Sequence, residues 1–365
     1  MLIVRSPVRI SFGGGGTDLP PYFENYGGAV LSTAINKYTY AIVGKRTDGH
    51  IQIISSDIKA FEAWKDIRHR SPGGGPLEIP YAVLQALGRE VAVDLFLASE
   101  IPPGTGLGLS ATVCVSVLHA LSAYLHLPAS KYDLAEKAFH IASQVLGKPV
   151  GKQDEYAAAF GGLNFMTFHP DGSVDVEPVK AEREVLSLLQ KRLMLWFTGA
   201  SHDSWAILQE QAALTRDKSP EAVVSLRHLS DLAHQMRQAL LEGNLREFAL
   251  LLHQGWESKK RISGRISSAV IDRLYSLARE RGALGGKIAG AGGGGFLLLY
   301  CEEENQAAVR DALAAEGVRE MRFAFDSEGS RVLVNDPLID QDENCASQWT
   351  FVAAAPAGRT GRPSR

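Results

Sequence analysis

Cysteine is scarce in this chain. Its three cysteines, Cys114, Cys301 and Cys345, lie far apart, and no CxxC pair occurs. That argues against a disulfide framework and against a cysteine zinc site, and it fits a reducing cytoplasm. Long apolar runs are missing as well. Arg5 and Arg9 interrupt MLIVRSPVRISF before it reaches signal-peptide length. VAVDLFLA and FLLLYC are strand-sized, well short of the ~20 residues of a membrane span. Neither sign of charge dominates: 38 Lys plus Arg against 41 Asp plus Glu leave a net charge of −3. A nucleic-acid coat would need a basic excess. There is no HExxH, no Cys/His cluster at metal spacing and no GxSxG elbow, so the common zinc and serine hydrolase chemistries have no motif here. The expected partner is a small molecule, with no nucleic acid and no membrane.

What the chain has in excess is glycine, 36 of 365 residues, about a tenth, against a usual ~7%. The glycines cluster at Gly13 to Gly16, Gly73 to Gly75, Gly104/Gly106/Gly108, Gly161/Gly162 and Gly285 to Gly295. Hydrophobic residues at 45% and charged residues at 22% are otherwise those of a globular chain with a sizeable core. In such a chain, clustered glycine reads as loops that let backbone approach a ligand.

The length suggests about two domains. Strands are expected at 2–12, 28–44, 50–55, over VAVDLFLASEIP and over RLMLWFTG, with a short helix in IPYAVLQALGRE. Long helices are expected near 109–127 and 130–147, and mostly helix from 203 to 282. GGLNFMTFHPDGSVDVEPV reads as a hairpin with DG in its turn, AEREVLSLLQKR as a charged connector, ENQAAVRDALAAEG as a helix and EMRFAFD as a strand. Trp196, Trp205 and Trp256 fall in apolar patterns and read as core. The mixture is α+β. After about Leu338 periodicity fades, and AAAPAGRTGRPSR reads as a disordered tail.

IPPGTGLGLSA carries the most chemistry. A buried strand enters a loop with glycine at every second position, and the loop opens a helix at Leu109 or Ser110. The first N–H groups of a helix lack intrahelical partners and, with the helix dipole, bind an anion such as phosphate. No lysine follows as in GxxxxGK[ST], and Leu109 occupies the third glycine position of GxGxxG. A tight packing turn is the bland alternative. KIAGAGGGGFLLLY argues against it, because four consecutive glycines exceed what a turn needs. RISFGGGGTDLPPYF has the same character and adds Thr17 and Asp18.

In this order the three segments resemble the GHMP kinases, which include galactokinase, homoserine kinase, mevalonate kinase and phosphomevalonate kinase. GGGTDLP, GKQD followed by an aromatic, AAxxGG and GGKxxGAGGGG together resemble the heptose 7-phosphate kinase branch. The resemblance spans about residues 3–335. It implies the two-domain GHMP fold, with a ribosomal protein S5 domain 2-like N-terminal domain over 1–180 and a ferredoxin-like C-terminal domain over 181–338, leaving 339–365 as the tail. It implies ATP and Mg²⁺, and it leaves a homodimer open.

By residue, the resemblance assigns Pro103, Gly104, Thr105, Gly106, Leu107, Gly108, Leu109 and Ser110, with Gly292, Gly293 and Gly294, to ATP. Ser110 also falls to the metal. Asp154 falls to catalysis, to orient the attacking hydroxyl and accept its proton, with Arg9 beside it. Gly15, Gly16, Thr17, Asp18 and Lys37 fall to the substrate. Asp154 also reads as an ordinary first-turn aspartate, and Lys37 as a solvated strand lysine. The chain departs from the family at Leu109 in place of a serine, Ala142 in place of a metal-binding glutamate, Glu155 for glutamine, Asn36 for aspartate and His202 for arginine. Three readings stand: a heptose 7-phosphate kinase acting at the anomeric position, a kinase for fucose or a hexose, and a degenerate fold that binds nucleotide or sugar as a regulator.

Overall fold

The computed structural model describes residues 1–65, 74–88, 91–199 and 204–336. The readings at Gly73, His202, Cys345 and over the tail lie outside the described residues. Chain order is β1 (Leu2–Gly13), α1 (Pro20–Tyr26), β2 (Gly28–Lys45), β3 (Ile51–Ser55), β4 (Ala60–Trp64), α2 (Glu78–Ala86), β5 (Val93–Ser99) and α3 (Leu109–Tyr124). Next come α4 (Lys131–His140), which runs into a π-turn at Ile141–Val145, then α5 (Gln153–Phe160), β6 (Leu163–Phe168), β7 (Val174–Pro178), α6 (Arg183–Arg192) and β8 (Leu193–Phe197). The remainder is α7 (Ser204–Arg216), α8 (Pro220–Leu241), α9 (Leu245–Lys260), α10 (Ala269–Glu280), β9 (Ala283–Ile288), β10 (Phe296–Cys301), α11 (Gln306–Ala315), β11 (Arg319–Glu320) and β12 (Arg331–Asn335).

Two mixed layers result. The first sheet runs β12-β1-β2-β5-β3-β4, with β6 and β7 attached through the start of β2. Among the described residues only β3 and β5 pair in parallel. β2 is long enough to hold β6 over Gly28–Thr33 and β5 over Thr39–Lys45. The β1–β2 register slips between Pro7 and Val8, where proline has no N–H to give the ladder. The second sheet, β11-β8-β10-β9, is antiparallel. One core lies under α2 to α5. The other joins α8 to α10 and the second sheet to β1 and β2. There Phe12 meets Phe248 edge-on, with ring centres 5.3 Å apart.

Helix ends follow local chemistry. Ser130 and Asp133 form a reciprocal cap on α4, Ser268 caps α10, and Pro220 opens α8. The 161–179 segment is the hairpin β6–β7. Three expectations shift, and one further strand appears. AEREVLSLLQKR is largely the helix α6, because Leu189 is buried and Val185, Leu186 and Leu188 pack on the core. In EMRFAFD only the start is strand, since side chains take over its backbone donors. Gln190 Oε1 accepts from Phe325 N–H at 2.7 Å, and Asn36 Oδ1 from Ala324 N–H at 2.6 Å. The segment before the third glycine loop is strand β9. A Cβ at Gly285 or Gly286 would collide with the backbone of Ala249 or Leu298, so these glycines let α9 and β10 approach. Finally, RVLVN forms β12 and returns to pair with β1. Among the described residues no helix is long and apolar enough to cross a membrane.

Candidate active site

A cleft of about 320 Å³ opens where β1, the loop before α3, the start of α5, the end of α9 and the loop after β9 converge. The loop before α3 explains its alternating glycines. Gly104, Gly106 and Gly108 have φ of 72, 81 and 78°, the left-handed region. Between them Thr105 and Leu107 are buried, so the loop coils with side chains inward and backbone toward the cleft. Thr112 N–H bonds the Gly108 carbonyl. The N–H groups of Leu109, Ser110 and Ala111 precede it and are the unpaired donors of α3. Gly104, Gly106, Gly108, Leu109, Ser110 and Ala111 all line the cleft, and Ser110 is exposed.

Against this loop stands the Arg9–Asp154 pair. Arg9 Nε donates to Asp154 Oδ1 at 2.7 Å and Nη2 to Oδ2 at 2.8 Å, while Nη1 donates to the Gly106 carbonyl at 2.6 Å. This is the two-pronged guanidinium–carboxylate geometry. It fixes Asp154 against the phosphate loop, and a Cβ on Gly108 would sit 3.1 Å from Asp154 Oδ2.

Asp18 also lines the cleft but is heavily committed. It accepts from Gly16 N–H at 2.8 Å, Gln153 Nε2 at 2.9 Å and Gln153 N–H at 3.2 Å, which clips the first glycine loop to the start of α5. Burial raises its pKa, and the Asp154 charge adds to this. Gly15 and Gly16 line the cleft. Thr17 does not. Its hydroxyl donates to the Gly14 carbonyl at 2.8 Å and is held at the Ala29 backbone, inside the fold. Lys37, half-buried on β2, is likewise off the cleft. From the third glycine loop Gly290 and Ala291 reach the cleft, while Gly293 N–H bonds the Ile266 carbonyl at 2.8 Å. Gly292, Gly293 and Gly294 do not line the cleft, and neither does the buried Leu107.

Several cleft residues drew no role from the sequence. Ser11 Oγ, Gln153 Oε1 and Glu155 Oε2 are buried with no hydrogen-bond partner, and all three residues line the cleft. Unpartnered buried polar atoms are uncommon and mark places where a ligand completes the bonding. Burial pushes the Glu155 carboxyl well above the usual carboxylate range, with Asp154 adding to it. Lys259 and Lys287 enter from α9 and β9. Trp196 and Trp256 are core as expected, but Trp205 lines the cleft and a smaller adjoining cavity of about 210 Å³. That cavity shares Pro103, Leu109 and Ser110 with the cleft and adds Thr39, Ser55 and Asp57.

Comparison with known proteins places these features in a family. Residues 78–162 match the GHMP kinases N terminal domain, and residues 236–319 match the GHMP kinases C terminal domain. The chain is 32% identical over 331 residues to a D-glycero-alpha-D-manno-heptose 7-phosphate kinase of Campylobacter jejuni, covering 89% of this chain and 96% of that one. It is 27% identical to an L-fucokinase/L-fucose-1-P guanylyltransferase of Bacteroides fragilis, spanning 84% of this chain but 35% of that protein. Among solved structures, a D-glycero-D-manno-heptose 1-phosphate kinase from Bacteroides thetaiotaomicron superposes with a TM-score of 0.75 at 28% identity, over 92% of this chain and 100% of that one.

Proposed function

The chain belongs to the GHMP kinases and is an ATP-dependent kinase for a sugar or sugar phosphate; we propose that its acceptor is D-glycero-D-manno-heptose 7-phosphate, phosphorylated on the anomeric hydroxyl in the cytoplasm. The observation that carries the chemistry is the Arg9–Asp154 fork set beside the open N-terminus of α3 in one cleft. The glycine loop and the first N–H groups of α3 cradle the nucleotide phosphates. The nucleoside extends into the smaller cavity beside Trp205. Asp154 receives the proton of the attacking hydroxyl, and Arg9 holds its carboxylate in one orientation without using all of its lone pairs. Ser11 Oγ and Gln153 Oε1, beside Gly15, offer buried polar atoms to sugar hydroxyls, which supports a polyol acceptor over an apolar one.

The donor set suits a Mg²⁺ that arrives with the nucleotide. Ala142 offers no ligand, and no cluster of three or more His, Cys, Asp or Glu occurs among the described residues. The exposed Ser110 hydroxyl and the unpartnered Glu155 Oε2 line the same cleft. They would hold the metal together with phosphate oxygens and water, the mix of ligands Mg²⁺ favours. When bound, it offsets charge on the phosphates.

The test is ADP release from MgATP with a panel of free and phosphorylated heptoses and hexoses. Turnover strongest with the heptose 7-phosphate supports the assignment. Turnover confined to fucose or a hexose moves the acceptor. ATP binding without turnover on any sugar returns the chain to the regulator reading.

A further inference from the structure

The cleft buries more positive charge than the Arg9–Asp154 pair uses. Lys259, in the last turn of α9, is 5% exposed, and Lys287, on β9, is 6% exposed. Each ammonium has three donors, yet each has a single hydrogen bond among the described residues. Lys259 Nζ donates to the Gly290 carbonyl, and Lys287 Nζ to the Phe12 carbonyl at 3.3 Å. Neither forms a salt bridge within 4.0 Å to a described carboxylate. An unpaired ammonium taken from water costs several kcal/mol, on the order of the penalty for any buried ion, and here the Lys259 charge adds to burial in disfavouring that of Lys287.

Their positions are not arbitrary. Gly290 packs directly on Gly106 of the phosphate loop, so Lys259 is anchored at the junction of the two glycine loops. Phe12 lies three residues along β1 from Arg9, so Lys287 is anchored on the strand that carries the guanidinium. Arg9, Lys259 and Lys287 thus surround one end of the cleft, and only Arg9 has a carboxylate of its own. A dianionic ligand is the chemistry that would make use of the other two.

We propose that Lys259 and Lys287 form an anion subsite that takes a phosphate group beside the Arg9–Asp154 pair. The phosphate is either the γ-phosphate of the nucleotide or that of a phosphorylated acceptor. This rests on the kinase reading of the cleft. The bland alternative is a structural latch in which the lysines only tie loops together. The two roles differ in the empty protein. Losing a latch lowers thermal stability, whereas replacing an unpaired buried charge by an apolar chain of similar length leaves stability unchanged or raises it.

The experiment uses the full chain and its Lys259→Met and Lys287→Met variants, with Lys259→Gln and Lys287→Gln in case an apolar replacement fails to fold. Calorimetric affinities are measured for two probe pairs that differ by one phosphate: ADP with AMPPNP, and free heptose with heptose 7-phosphate. A tenfold or greater loss for AMPPNP with ADP unchanged assigns the subsite to the γ-phosphate. The same loss for heptose 7-phosphate with free heptose unchanged assigns it to the acceptor. Either result, with the melting temperature held or raised, supports the subsite. Unchanged discrimination in both pairs overturns it, as does an equal loss for both members of each pair with a lowered melting temperature. A wild-type chain that binds neither AMPPNP nor the heptose phosphate overturns the kinase reading along with the subsite. Wild-type binding with unaltered variants overturns the subsite alone.

Discussion

Asp154 gives both carboxylate oxygens to one guanidinium, and that guanidinium is also tied to the phosphate loop. Asp154→Asn keeps the side-chain shape but cannot accept the proton of the attacking hydroxyl. Turnover is expected to fall by about 10²–10⁴-fold, the usual share of a positioned general base, while AMPPNP affinity in calorimetry stays close to wild type. Wild-type turnover in that variant would sink the role. Glu155 permits a separate test. Glu155→Gln removes the carboxyl group that a bound metal would ionise, at a site where its oxygen has no partner. Manganese binding in the presence of AMPPNP, followed by electron paramagnetic resonance, should weaken by about tenfold, ~1.4 kcal/mol, with the melting temperature little changed. Arg9, Asp18, Asp154 and Ser110 could be placed from the sequence because each belongs to a glycine motif with fixed spacing. Lys259 could not, and Lys287, although it stands in GGKxxGAGGGG, drew no role from it. A lysine near a helix end, or next to two glycines, carries no sign of burial. The nearest signal is the pair Gly285-Gly286 before Lys287, whose missing side chains mark close packing on both sides.

In the elements that set the site, the ends matter more than the middles. α3 begins at a glycine with φ of 78° whose missing side chain leaves room for Asp154. Gly108→Ala adds a methyl 3.1 Å from a catalytic oxygen in a backbone region that costs about 1–2 kcal/mol for an alanine. Urea unfolding should show a loss of that size, and turnover should fall further than stability, since the Arg9–Asp154 fork must shift. A stability loss with unaltered turnover would disprove the steric argument. Long amphipathic helices such as α8 and α9 were legible from their 3.6-residue period. Met321 to Phe325 was not, because its apolar alternation reads as strand while side chains of Gln190 and Asn36 satisfy its backbone. Asn36, which departs from the family residue, thus has a visible structural use. The π-turn after α4 had no sequence signature either, since it differs from the helix before it only in hydrogen-bond register.

The molecule as a whole carries the cost of its charged cleft. Burial and the neighbouring Arg9 pull Lys259 from 10.5 down to about 8, against the partial support of Asp18 and Asp154. Between those values the unfolded chain binds a proton that the native chain does not. The contribution of Lys259 to stability therefore rises with pH from about 8 to 10.5, and its full cost is present below 8. The difference in urea midpoint between wild type and Lys259→Met should narrow across that window, and a constant difference would contradict the assignment. The overall α+β class and the meeting of three glycine loops were legible, because they follow from strand-loop-helix order. The return of the C-terminal strand was not, because the pairing of β12 with β1 spans nearly the whole described chain. That pairing has a consequence in time. Strand β1, which bears Arg9, leaves the ribosome well before β12, and one of its edges stays open until Asn335 has been made, tens of seconds later at roughly 5–20 residues per second. Until then the nascent β1 has β2 to pair with on one side, so its free edge must be shielded from other chains until β12 arrives.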